Sequence, residues 1–130
     1  MTRKRLLAVS CGVVMLAIAV SSMWARASAQ ADDDVLKVIP ENYTLIIDNP
    51  VVRVLEARIP AGTEEKPHRH LKGVSVCLTE YTLESRTLPD GQWVRNDRKV
   101  GTTYWSDASL HQVRNVGKTQ SHTIRIELKH

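Results

Sequence analysis

Between Tyr43 and Leu128 the chain never sustains apolar residues at helical spacing; short runs rich in Val, Leu and Ile alternate with turn residues. The run Tyr43–Asp48 is closed by Asn49-Pro50, and Val51–Ile59 by Pro60-Ala61-Gly62. Val74–Leu83 follows as one expected strand, then the turn Leu88-Pro89-Asp90-Gly91-Gln92, where Pro presets one backbone angle and Gly supplies another. Shorter strands are expected around Trp93–Arg95, Thr102–Trp105 and Leu110–Asn115. After a turn at Val116-Gly117-Lys118, His122–Leu128 alternates as a half-buried strand. Branched side chains suit a pleated surface better than a helix, so the fold class is all-β: a sandwich, jelly roll or small barrel.

Composition supports one core and no more. The chain has 130 residues and no Phe, and beyond residue 29 its aromatics are Tyr43, Tyr81, Trp93, Tyr104 and Trp105. The net charge of +4 comes from Arg3, Lys4, Arg5 and Arg26; from Gln30 onward 14 basic residues face 14 acidic ones. A domain so balanced lacks the basic footprint of a nucleic-acid binder.

The charged start has its own logic. Arg3, Lys4 and Arg5 precede the mostly apolar Leu6–Val20, and Ala27-Ser28-Ala29 follows as a small-x-small site. The apolar run is shorter than the ~20 residues that span a bilayer. Residues 1–29 therefore read as a cleaved secretory signal peptide, 30–42 as a leader carrying Asp32-Asp33-Asp34, and 43–130 as a single domain. The mature chain is expected in the periplasm of a Gram-negative bacterium or outside the cell, free of the membrane. Cys77 would then be its one cysteine, a small buried hydrophobe without a disulfide partner.

Chemistry concentrates at Pro67-His68-Arg69-His70. Two histidines at i and i+2 on an extended strand point to one face, where their rings can converge on an ion. Gly62, five residues, His68, one residue and His70 together form G-x5-H-x-H, the first half of the first cupin motif. His111-Gln112-Val113-Arg114-Asn115 matches the H-x3-N ending of the second motif, with Gly101 near its opening glycine. The chain thus resembles the cupin superfamily from about Tyr43 to Lys129, and the resemblance implies a jelly-roll β-barrel.

The resemblance further implies one divalent transition metal held by His68, His70 and His111. The family's carboxylate ligand would fall on Val74 or Ser75, neither acidic, and Ser106 and Ala108 stand near the places of the second motif's proline and internal glycine. What remains is a three-histidine site, as in cupins of the thiol dioxygenase and diketone-cleaving types. Neutral nitrogen ligands favour Fe(II), with Ni(II), Cu(II) or Zn(II) as further choices, over Mn(II). Three protein ligands leave positions open for a small-molecule substrate, so a metal-dependent dioxygenase-like enzyme is one reading; a non-catalytic binding cupin is the other. No general base stands out.

Around these three, Tyr104 and Trp105 are expected to wall a pocket, with Val74 beside it. His122 shares the phase of Ile124 and Ile126, and as an inward residue would be a fourth ligand, a partner behind one of the rings, or a hydrogen-bonded core histidine. Glu64 and Glu65 read as a solvated charge pair, or as an oxygen ligand if the loop folds back. Small cupins often pair sheet edges, so a homodimer is also expected.

Overall fold

The computed structural model describes residues 32–130; the expected signal peptide lies outside the described residues. One helical turn, α1 (Val35–Val38), precedes nine strands: β1 (Tyr43–Asp48), β2 (Val52–Ile59), β3 (His68–His70), β4 (Gly73–Cys77), β5 (Tyr81–Thr87), β6 (Val94–Arg98), β7 (Thr103–Ser106), β8 (Ser109–Asn115) and β9 (Ser121–Leu128). They form two antiparallel sheets, β1-β2-β9-β4-β7 and β3-β8-β5-β6. This is the all-β jelly roll that the sequence led us to expect. Among the described residues no helix is long and apolar enough to cross a membrane.

Both motif glycines have a conformational reason. Gly62 and Gly101 adopt φ of 78° and 81°, a region that side chains with a Cβ rarely enter. Gly91 is required differently: a Cβ there would lie 2.2 Å from the carbonyl oxygen of Thr87, so close approach, not a special angle, fixes the residue in its turn. The segment before β1 is part of the core, because Val35 and Ile39 pack with Tyr43, Leu55 and Ala57. Asp34 caps α1 through the amide of Leu36 and also pairs with Arg53 at 2.7 Å.

The structure corrects the sequence reading in three places. The expected strand Val74–Leu83 is two strands in different sheets, because the chain turns between Cys77 and Tyr81. On β4 the buried residues are Gly73, Ser75 and Cys77, while Val74 and Val76 face outward. On β9 the buried set is Ser121, Thr123, Arg125 and Glu127, so His122, Ile124, Ile126 and Leu128 are on the outer face. Alternation reports that a strand has two faces; it does not say which one is inside. Here the polar set faces the interior.

Candidate metal centre

His68 and His70 lie on β3, with Arg69 pointing away to pair with Asp33 at 3.0 Å. Antiparallel pairing sets His111 of β8 directly opposite His68. The three rings converge: the centroid separations are 5.1 Å for His68–His70, 4.6 Å for His68–His111 and 5.3 Å for His70–His111. One ligand nitrogen from each lies within 4.8 Å of the others.

Hydrogen bonds decide which nitrogens are free. Nδ1–H of His68 donates to the Lys66 carbonyl at 2.8 Å, and Nδ1–H of His70 donates to Glu127 Oε1 at 2.5 Å. Each ring therefore keeps its Nε2 lone pair for the centre. His68 Nε2 and His111 Nε2 face each other at 3.0 Å, the spacing of two nitrogens ~2.1 Å from one ion and at right angles about it. Burial lowers the pKa of His68 to about 4 and that of His111 to about 2, and it lowers that of His70 as well. All three rings are thus neutral near pH 7, as metal ligation requires. The residues present fit a divalent ion.

Behind the rings stands a buried ionic network absent from the sequence reading. Glu127 is fully buried; Arg53 Nε donates to its Oε2 at 2.5 Å, and Arg125 Nε lies 3.6 Å from its Oε1. Burial pushes the Glu127 carboxyl up, but its contacts with His70 and Arg53 outweigh that and hold its pKa below the ordinary value. Glu65 is also buried, correcting the solvated pair expected of Glu64 and Glu65. Asn42 Nδ2 and Tyr43 Oη donate to its carboxylate at 2.8 and 3.4 Å, and Oε2 lies 3.8 Å from His68 Nε2. Burial raises its pKa to about 7. No local pattern foretold either acid, since their partners come from up to 74 residues away.

Two hollows open beside the centre. The smaller, about 90 Å³, is lined by His70 and His111 together with Ser75, Tyr81, Tyr104 and Arg125. The larger, about 220 Å³, shares Tyr81, Tyr104 and His111 and is bordered by Trp105 and Arg98. Tyr104, opposite the inward Ser75, lines both; Trp105, opposite the outward Val74 and 52% exposed, touches only the larger. Val74 and His122 line neither. Val74 faces outward, and His122 pairs across the outer face of β2 and β9 with Glu56 at 2.7 Å, too far round the sheet to act as a ligand. Asn115, the last residue of the second motif, is structural: its amide donates to the carbonyls of Ile59 and Thr119, both at 2.9 Å.

Among solved structures, a cupin domain from Bordetella pertussis Tohama I is 34% identical to this chain, over 68% of this chain and 92% of that one, with a TM-score of 0.61. The chain belongs to the cupin superfamily. A cupin superfamily protein from Desulfitobacterium hafniense matches 66% of this cupin and 74% of its own length at 12% identity and a TM-score of 0.50. An RmlC-like cupin from Methanocaldococcus jannaschii, with a double-stranded β-helix fold, matches 66% and 79% at the same identity and TM-score. These two share the fold alone. No protein-family model matches this cupin, and neither does any curated protein. Its three-histidine cluster can hold a divalent metal ion.

Proposed function

We propose that this cupin is exported and holds one divalent transition metal, Fe(II) favoured, on His68, His70 and His111, where it acts on a small molecule as a dioxygenase-like enzyme. The observation that carries the proposal is the tautomer lock: His68 and His70 each commit Nδ1–H to a protein acceptor, leaving Nε2 for the centre. Three neutral nitrogens with no carboxylate among them favour Fe(II), Ni(II), Cu(II) or Zn(II) over harder ions. Iron bound there would supply redox and Lewis-acid chemistry to an organic substrate and dioxygen.

The chain's own groups do the rest. Glu127 orients His70, and Arg53 holds Glu127 from the other side. Tyr81 and Tyr104 present phenols to both hollows; burial raises the pKa of Tyr81, which keeps it a proton-bearing donor at neutral pH.

Nitric oxide bound to the anaerobic Fe(II)-loaded protein tests whether the centre is open. A high-spin Fe(II)–nitrosyl signal by electron paramagnetic resonance is expected. Iron that binds tightly without giving the signal would favour the second reading, a non-catalytic metal- or ligand-binding cupin. Export is tested by the mass of the periplasmic form, which should begin at Gln30.

The homodimer belongs to the same proposal. Ile47, Val54, Ile126, Val74 and Trp105 are paired in one row across all five strands of the larger sheet, on its outer face. A row without charge along its whole width suits another like itself, and two-fold packing of a second copy is self-complementary. A sheet face, not the sheet edge expected from the sequence, is the surface we propose.

A further inference from the structure

Ser75 and Arg125 are direct partners in the β4–β9 ladder, and both point inward. Ser75 is one of the two positions where the family's carboxylate would fall. A small side chain there leaves room for the guanidinium of the facing residue, so a cation occupies the neighbourhood in which an anion was expected. Arg125 is 6% exposed, yet it lines the smaller hollow together with His70 and His111.

Its donors are poorly matched. Nη2 donates to the Leu71 carbonyl at 2.6 Å, while Nη1 makes only long contacts, 3.3 Å to Ser75 Oγ and 3.4 Å to the Gly73 carbonyl. Nε makes no hydrogen bond and lies 3.6 Å from Glu127 Oε1. The nearest carboxylate, Glu127, has each oxygen already engaged at 2.5 Å, one by His70 and the other by Arg53. A buried guanidinium left in that state is costly unless something completes it. Asp34 and Glu127 balance Arg53 and Arg125 in formal charge, so a divalent ion on three neutral histidines would find only Glu65, 3.8 Å from His68 Nε2, and Asp107 on the wall of the hollow to set against its two charges.

We infer that the smaller hollow takes a small organic carboxylate, whose carboxylate group pairs with the Arg125 guanidinium while its other end faces His70 and His111. A hollow of about 90 Å³ limits the molecule to a few heavy atoms. Ser, Thr and Tyr hydroxyls on its wall, Ser121, Thr123 and Tyr104 among them, suit a second polar group such as a hydroxyl or oxo oxygen. This names the substrate class of the centre proposed above and rests on that reading for the metal, but the Arg125 pairing itself needs no metal.

Calorimetric titration of the full chain with lactate and pyruvate, beside lactamide as the uncharged match, tests the inference in both metal-loaded and metal-free protein. The acids should bind and the amide should bind at least tenfold more weakly, since a charge-assisted pair contributes on the order of tenfold to a hundredfold in affinity. Ser75→Glu sets a carboxylate against the guanidinium and should remove acid binding from the metal-free protein, with the fold intact by circular dichroism. Arg125→Gln should do the same if it folds, and Ser75→Glu decides if it does not. Acid binding that persists in protein unable to take up metal supports the Arg125 site and sinks the metal reading alone. Metal uptake with acids no better than the amide, or acid binding by the metal-free protein that survives Ser75→Glu, overturns the inference and leaves the metal reading standing.

Discussion

Glu127 Oε1 lies 2.5 Å from Nδ1 of His70, between the last strand of the chain and the strand that carries the first motif. A carboxylate at that position fixes the imidazole's tautomer and orientation and raises the basicity of the nitrogen on its far side. Glu127→Gln keeps an oxygen to accept from Nδ1–H but removes the charge. It should weaken metal affinity by roughly ten- to a hundredfold with the fold retained, read by competition with a chelator. Glu127→Ala should in addition destabilise the protein by about 3–5 kcal/mol in urea unfolding, because it also deletes the oxygens that accept from His70 and Arg53, leaving Arg53 with Asp34 alone.

Acid should destabilise the metal-free protein. His68, His70 and His111 have pKa values lowered by burial, to about 4 for His68 and about 2 for His111. The unfolded chain therefore binds more protons than the folded one below pH ~6.5, and stability falls as the pH drops, by on the order of 2 kcal/mol each for His68 and His111 at pH 5, with His70 acting in the same direction. Glu65, raised to about 7, acts in the opposite sense, adding stability as the pH falls from there toward its ordinary 4.5. Three groups outweigh one. The urea midpoint should be lower at pH 5 than at pH 7, and the drop should be larger in Glu65→Gln; a midpoint that is equal or higher at pH 5 would refute the neutral, desolvated cluster.

Gly73 allows β4 and β9 to meet. A Cβ there would lie 2.0 Å from the Ile126 carbonyl oxygen, a backbone atom that cannot swing aside. Gly73→Ala should lower the thermal midpoint by more than Gly62→Ala, whose cost is the ~1–2 kcal/mol of its positive φ in open space. Equal effects, measured by calorimetry, would mean the two strands part more easily than their packing implies.

The outer apolar row makes a prediction about assembly. The wild type should sediment as a dimer at micromolar concentration, and Ile126→Lys, at the centre of the row, as a monomer with unchanged metal content. A monomeric wild type would remove the second copy from the account.

The fold was legible in the sequence because its punctuation is local. The turns after Asp48, Ile59 and Thr87 and the two motif glycines each answer to residues beside them. The three histidines were legible for the same reason: an i, i+2 pair on a strand, and a motif ending that the resemblance supplied. Everything that depends on which face turns inward was not. Ser121, Thr123, Arg125 and Glu127 line the interior because a polar centre is built there, and the apolar set of the same strand takes the outside. Glu65 and Glu127 could not be found from their neighbours, since Asn42, Tyr43, Arg53 and His70 reach them only through the tertiary fold.

The central claim is that His68, His70 and His111 hold one metal ion. Its most direct test is the metal content of the protein purified without chelator or polyhistidine tag, beside His68→Ala and His111→Ala. The account predicts about one equivalent of a divalent transition metal in the wild type, lost in both folded variants. Wild-type protein that carries no metal and takes up none of Fe(II), Ni(II), Cu(II) or Zn(II) would contradict it.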